Sequence, residues 1–293
     1  MKKIIFLSLF IYCISLGFAQ TPAGYRITPT RSDKPIVFAI AQLSADIEGY
    51  DGNEVIIENA VPTVKDLPQA ANGLKQIPVP GQDKAAYFRP HIEDDSMAIR
   101  IFIAPNNAGP VHIKVPKNAV IRVTMMTYLK GIKLVVKDVN SVQVNAAVPL
   151  IELDGISDFS LSTGEGAAGK RVGDKVILSN IKWSDQPVTI NGKARPRDYV
   201  VVSNSASIEL AVPVNIKGDI HFSSRNGQVF SNLGISPVIA SQQDVTIFEQ
   251  YLPVKIFEQY APHETQLKTI PLNGGGININ VLTNYGNIYL KKQ

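Results

Sequence analysis

The chain has 293 residues, 45% of them hydrophobic and 18% charged, with a formal net charge of +4 and one cysteine. So weak a positive charge, with no Lys/Arg stripe and no aromatic-basic motif, excludes an electrostatic nucleic-acid footprint. Low charge, many Val and Ile and frequent Asn and Gly fit an all-β protein, and the length suits one elongated domain or two small ones.

The opening, MKKIIFLSLFIYCISLGFAQ, has the three parts of a secretory signal. Lys2 and Lys3 supply positive charge, Ile4 to Leu16 the apolar run, and Gly17-Phe18-Ala19 a small-x-small cleavage site. Residues 1–19 therefore read as a signal peptide, the apolar run being shorter than the ~20 residues a spanning helix needs. Cys13 lies inside this segment, and bulky Tyr12 stands where a lipidation site requires a small residue. The mature chain is expected to have no thiol, no disulfide and no thiolate metal site. Losing Lys2 and Lys3 lowers the formal charge from +4 to +2. No later apolar run could cross a bilayer as a helix, so the expected location is the periplasm, the outer-membrane surface or the exterior, without a transmembrane segment after cleavage.

Residues 20–35 are polar, carry Pro22, Pro29 and Pro35, and read as a flexible lead. Residues 36–293 read as a single domain. Val37–Ile40 and Asp46–Gly49 have strand character, Tyr50-Asp51-Gly52-Asn53 reads as a tight turn, and Glu54–Glu58 returns, an N-terminal β-hairpin region. Residues 61–96 are loop-rich, broken by Pro62, Pro68, Pro78 and Pro80, with one short helix expected over Leu67–Leu74. Strands are expected at Met97–Ile103 and Val111–Val115, around a turn at Asn106–Gly109.

From Val120 a repeat takes over. Leu134, Val136, Val139, Val142 and Val144 recur 17 residues later as Ile151, Leu153, Ile156, Phe159 and Leu161. A gap of two is a strand step with both side chains on one face, and a gap of three is a corner. Each unit thus reads as strand, corner, corner, strand around an apolar axis, one coil of a β-solenoid. Val176, Leu178 and Ile181 repeat part of the pattern. Two interruptions, Gly164–Gly173 and Gly192–Arg197, lack an apolar face and read as outward loops. Strands follow at Tyr199–Val202, Ser207–Val212, Asp219–Phe222 and Gln228–Phe230, with an Asn226-Gly227 turn. Residues 235–265 read as an insertion in which Ile247-Phe248-Glu249-Gln250-Tyr251 recurs as Ile256-Phe257-Glu258-Gln259-Tyr260. In the last stretch Ile277, Ile279 and Val281 alternate, Asn284-Tyr285-Gly286 turns, and Ile288 and Leu290 alternate again, so it is expected to belong to the stack.

That last stretch, a glycine cluster and then Thr283-Asn284-Tyr285-Gly286-Asn287-Ile288-Tyr289-Leu290 with lysines after it, resembles the end of a bacterial family of exported adhesin-like proteins, a β-solenoid domain of unknown function. Ile47-Glu48-Gly49-Tyr50-Asp51-Gly52-Asn53-Glu54-Val55, Ala71-Asn72-Gly73-Leu74-Lys75, Val115-Pro116-Lys117-Asn118 and Arg225-Asn226-Gly227-Gln228-Val229 extend the resemblance from about Ile36 onward. It implies a β-helix-like stack of short strands with Asn-Gly corners, and contact with a cell surface. It transfers no functional residue. The chain departs from the pattern where Ala146-Ala147 and Ser203-Asn204-Ser205 replace Asn-Gly turns, and in residues 235–265.

Chemistry is sparse. His91-Ile92-Glu93-Asp94-Asp95 is the densest set of metal-ligand types, but it lacks calcium-loop spacing and reads as a solvated loop. His112 and His221 sit between apolar strand residues and are expected to face solvent; His263 stands alone. A polysaccharide-active lyase or glycosidase would need paired carboxylates on one face. Asp138, Asp154, Asp158 and Asp185 are candidates, with Asp138 and Asp154 near corners where Asp forms turns. No phosphate loop, nucleophile elbow or dinucleotide fingerprint is present. The expectation is therefore no catalytic residue, no cofactor and no metal. Trp183, Tyr251 and Tyr260 are the candidate surface contacts, although Trp183 reads first as a side chain packed on the stack. The favoured reading is a non-catalytic surface protein that contacts a glycan or an envelope protein. A structural envelope scaffold is the alternative, followed by the polysaccharide-active enzyme.

Overall fold

The computed structural model describes residues 25–29, 34–58, 91–94, 99–103, 110–127, 129–163, 174–190, 193–240 and 267–293. These residues are all-β, without a helix, and form two large sheets. None of them forms a helix long and apolar enough to cross a membrane.

The ten-stranded sheet runs in the order β1 (Tyr25–Ile27), β4 (Val55–Glu58), β7 (Val111–Pro116), β3 (Ala45–Tyr50), β9 (Lys133–Lys137), β11 (Leu150–Asp154), β13 (Lys175–Ser179), β17 (Ser207–Val212), β23 (Ile288–Lys292), β19 (Val229–Ser231). The eleven-stranded sheet begins with β20 (Val238–Ile239), β21 (Lys268–Leu272), β18 (Gly218–Ser224), β22 (Ile277–Thr283), β16 (Tyr199–Ser203) and β12 (Phe159–Thr163). It continues through β10 (Ser141–Ala147), β8 (Val120–Met126), β2 (Ile36–Ala41), β6 (Ile99–Ile103) and β5 (His91–Asp94). A separate antiparallel pair joins β14 (Val188–Ile190) to β15 (Lys193–Arg195). From β8 to β13 the chain alternates strand by strand between the two sheets.

The centre of each sheet is parallel, in the register given by the 17-residue step. Leu134 pairs with Ile151 and Val136 with Leu153, and these continue to Val176 and Leu178. In the opposite sheet Val142 pairs with Phe159 and Val144 with Leu161. These residues, with Val139, Ile156 and Ile181, are all buried in one core between the sheets. Their outward neighbours need only be polar or β-branched, which is why periodicity two is so clear in strands such as β17. Antiparallel strands occur only towards the sheet ends, where β1, β4, β5, β20 and β21 sit.

Three expectations need correction. The hairpin does not form: β3 and β4 are separated by β7, which takes β3 as a parallel partner and β4 as an antiparallel one. Both edges of β3 are already occupied, by β7 and β9, and residues 51–54, which fold over the Tyr50 ring, reverse the chain across β7 and not into the neighbouring position. Tyr25–Ile27, assigned to the flexible lead, is a strand on β4 in which Ile27 packs against the core. His91–Asp94, assigned to a solvated loop, is β5, antiparallel to β6. The helix expected at Leu67–Leu74, the turn at Asn106–Gly109, the loop Gly164–Gly173 and residues 241–265 of the insertion lie outside the described residues.

The rungs do not stack in sequence order. The β22–β23 rung lies between β16–β17 and β18–β19, and so separates strands that precede it in the chain. Its corner shows how the fit is made. Ser203, Thr283 and Ser224 occupy one register column, and each hydroxyl accepts the amide N–H three residues on, from Ala206, Gly286 and Gly227. Thr283 and Ser224 also donate to the carbonyls of Ala206 and Gly286, one rung away. The corners approach so closely that a Cβ on Gly286 would lie 1.9 Å from Ala206 O, and one on Gly227 2.0 Å from Gly286 O. Backbone crowding, not a positive φ, therefore demands glycine there. Gly286→Ala is expected to destabilise the protein by about 3 kcal/mol, as overpacking against a fixed backbone does, read as a lowered thermal midpoint.

Candidate binding surface around Trp183

Residues 181–187 run between β13 and β14 without strand pairing. Ile181 enters the core, and Trp183, two residues on, is half-buried and packs against it. The indole stands 4.9 Å from the Tyr199 ring and 6.5 Å, edge-on, from Phe159. Its Nε1 is buried and has no hydrogen-bond partner. Trp183 is thus first a side chain packed against the core, as expected of a residue type that is highly buried on average.

Tyr199 fixes this arrangement. Its hydroxyl accepts the Ser184 amide at 2.9 Å and faces the Ser184 carbonyl at 3.2 Å. Burial pushes the Tyr199 phenol up to about 12, only partly opposed by the Ser184 hydrogen bond and the Arg197 charge. The phenol therefore stays neutral across the physiological range and acts as a clamp.

One side of Trp183 borders a groove of about 200 Å³, shared with Ile216 and Ile277 as apolar lining and Asp185 and Lys217 as charges. Asp185 and Lys217 form no ion pair with a described residue. Ile277 belongs to β22, so the groove exists only because that rung lies where it does.

Beside it lies a knot of charge. Ser141, Asp158 and Asp198 fall in one column, each preceding a paired strand residue. The Asp158 carboxylate is buried and accepts four bonds: Ser141 Oγ at 2.5 Å, Arg195 Nη1 at 3.2 Å, Arg195 Nη2 at 2.8 Å and the Asp198 amide at 2.6 Å. Arg195 also pairs with Asp198 at 2.9 Å. Burial, with the neighbouring Asp158 charge, pushes the Asp198 carboxyl up, and Arg195 holds it back. Arg197 donates to Gln186 O and Ser157 O. The stretch expected to protrude as a basic loop is instead tied down: Arg195 supplies the cation that the buried Asp158 needs, and Arg197 is held by the two carbonyls. Asp158→Ala would take the acceptor from the Ser141 hydroxyl and the Asp198 amide and leave Arg195 only Asp198 and the Pro196 carbonyl. The expected loss is about 3 kcal/mol, measured by chemical denaturation, with Glu152→Ala on the outer face as an indifferent reference.

The other acidic candidates are dispersed. Asp138 sits at a corner with φ 52° and faces Lys182 at 3.4 Å. Asp154, one rung on, accepts from Ser179 Oγ and Asn180 Nδ2. Asp138 is a turn residue and Asp154 ends β11 beside the next corner, both near corners as their positions implied. Asp185 stands apart in the groove. His112 is exposed and pairs with Asp46 at 3.3 Å. His221 is a correction: it is fully buried, with Nδ1 3.0 Å from Thr269 Oγ1 and Nε2 3.4 Å from Asn278 Oδ1. Val200, Val202, Asn280 and Leu282 on neighbouring strands are also buried yet lie outside the main core, so the outer face of this part of the sheet is shielded as well, and alternation no longer means exposure. Asn280, opposite His221 and Val200 in register, buries both carboxamide atoms without a partner. Asn280→Val is expected to raise stability by about 1 kcal/mol, since an unsatisfied buried amide is removed from a strand position; a thermal melt measures it. No group of three or more metal-ligand side chains occurs among the described residues. Tyr251, Tyr260 and His263 lie outside them.

No family model matches the chain, and no curated protein matches it. Among solved structures it is similar to the crystal structure of a "putative cell adhesion protein" from Clostridium sporogenes ATCC 15579, at 11% identity over 92% of this chain and 100% of that one, with a TM-score of 0.38. A likeness that distant carries no inference about function.

Proposed function

We propose that this chain is an exported β-solenoid of the adhesin-like kind that binds a glycan or an envelope protein at its surface without turning it over. The carrying observation is the contrast between the inside and the outside of the stack. Inward strand positions are apolar and in parallel register, save for buried hydroxyl residues such as Ser203 and Thr283 at strand ends, whereas chemically varied side chains gather at corners and between strands, where repeat scaffolds place recognition. The parallel rungs and the strand-by-strand alternation between sheets support the solenoid form, and the sequence of residues 1–19 supports export.

The non-catalytic part of the reading is supported by how the acids are used. Asp158, the most buried candidate, has its acceptor capacity filled by four donors, and Asp154 and Asp138 hold corners. A general acid or base needs a proton site open to substrate. At the Trp183 groove the indole supplies an apolar wall, and Asp185 and Lys217 supply an acceptor and a donor on its rim.

The test is a glycan array together with pull-down of envelope proteins, comparing wild type with Asp185→Ala/Lys217→Ala. These side chains suit the test better than Trp183, whose removal would also loosen the core. Binding by wild type, weakened at least tenfold in the double variant at an unchanged melting temperature, is the expected result. Hydrolysis or elimination of a polysaccharide that Asp154→Asn abolishes would overturn it.

A further inference from the structure

A larger cavity, about 540 Å³, lies at the opposite end of the stack, where the chain leaves β3 and β7. It is bounded by the corner residues 51–53 and 117–119 and by the segments just after β1 and just before β2. Its size is within the range of small-ligand sites, ~300–1,000 Å³. Ile36 and Ala119, both buried, give it an apolar base.

Tyr50 forms one wall and is held rigidly. Its hydroxyl donates to Glu54 O at 2.9 Å and accepts the Glu54 amide at 3.2 Å. Residues 51–54 close over the ring so tightly that a Cβ on Gly52 would lie 2.1 Å from it. With the hydroxyl committed, what Tyr50 offers a ligand is ring surface.

The rim is rich in donors. Asn118 accepts from Asn140 Nδ2 through its Oδ1 at 2.7 Å, which fixes the carboxamide and leaves its NH₂ to donate. Asn53 is exposed on the facing turn. Lys117 Nζ lies 3.0 Å from Asp51, whose carboxylate is 87% exposed. So exposed a pair holds Lys117 weakly, and an incoming anion can replace the aspartate. A flat apolar wall with a donor-rich, cationic rim suits a flat-faced ligand bearing many acceptors and one negative charge.

We infer that this cavity binds the acidic end of a saccharide, one or two sugar rings carrying a carboxylate. The sugar face lies along Tyr50, the carboxylate meets Lys117, and Asn118 and Asn53 donate to hydroxyl oxygens. The inference rests on the binding reading above but places recognition at a second, separate site and gives it a ligand class.

Calorimetric titration of the full chain with digalacturonic acid and with its methyl ester, which keeps the rings and removes the charge, tests it. Ligand is taken to ~10 mM, where a site with Kd of ~1 mM is nine-tenths filled. The expected result is binding of the acid, at least tenfold weaker binding of the ester, and at least a tenfold loss in Lys117→Met. Asn118→Asp keeps the acceptor for Asn140 but turns the donor into a carboxylate, and it should lose binding at an unchanged melting temperature. Added salt should weaken the wild-type interaction. Equal affinity for acid and ester, indifference to both substitutions, or no heat at ~10 mM would overturn the inference. If array glycans respond to Asp185→Ala/Lys217→Ala but never to Lys117→Met, this site fails and the binding reading stands. If no glycan and no envelope protein binds wild type, both fail.

Discussion

A chain stopped after Asn273 is expected to lose cooperative folding altogether. The missing residues carry β22 and β23, which are hydrogen-bonded on both sides, to β16 and β18 in one sheet and to β17 and β19 in the other. Their removal leaves strand edges facing an empty slot, with backbone groups unpaired away from water. It also strips six buried apolar side chains, Ile277, Ile279, Val281, Leu282, Ile288 and Leu290, from the molecule. At roughly 1.5–3 kcal/mol each the lost burial is on the order of 10 kcal/mol, as large as the whole stability of an ordinary domain. Circular dichroism melting and limited proteolysis measure it: a broad or absent transition and rapid cleavage beyond β17 are expected. A soluble truncation with one sharp transition would show that this rung is dispensable.

Leu153→Asp is expected to be nearly as damaging from a single side chain. Leu153 is fully buried in β11, between Val136 of β9 and Leu178 of β13, and those neighbours are buried too. Replacement by alanine would leave a cavity and cost about 3 kcal/mol. Aspartate adds an unpaired carboxylate in an apolar layer with no cation in reach, which raises the cost to about 5 kcal/mol or more. The outward neighbour gives the contrast: Glu152→Lys on the same strand should change stability by no more than about 0.5 kcal/mol. Urea denaturation of the three variants checks both magnitudes, and equal midpoints for Leu153→Asp and Glu152→Lys would invalidate the register.

How much of this was readable in the sequence depends on the range of the interaction. The steps Leu134–Val136 and Ile151–Leu153 were legible because the shared core imposes one spacing on successive strands, and the structure places these residues in the expected register. The corner ladder also had a local signal, a hydroxyl residue followed three positions later by a small one, in Ser203-Asn204-Ser205-Ala206, Ser224-Arg225-Asn226-Gly227 and Thr283-Asn284-Tyr285-Gly286. It was missed because the copies stack out of sequence order. Nothing local announces that β22 lies between β16 and β18, since strand pattern specifies a face and not a neighbour. His221 misled for a related reason: alternation separates the two faces of a strand, and both faces are buried there. The Asp158–Arg195 pair joins residues 37 apart and could be seen only once the column Ser141, Asp158, Asp198 was assembled. The cavity beside Tyr50 likewise depends on two corners brought together by the pairing of β3 with β7.

The out-of-order rung has a consequence for synthesis. Among the described residues β18 and β19 pair only with strands that follow them in the chain, β21, β22 and β23, so residues 218–231 cannot take their places until residues 268–292 have been made. Until then β16 and β17 end in open edges, the kind of surface that recruits chaperones or aggregates. Those edges accept β22 and β23 whichever molecule supplies them. At high concentration the same pair from a second copy enters, and domain-swapped dimers are the expected by-product of refolding.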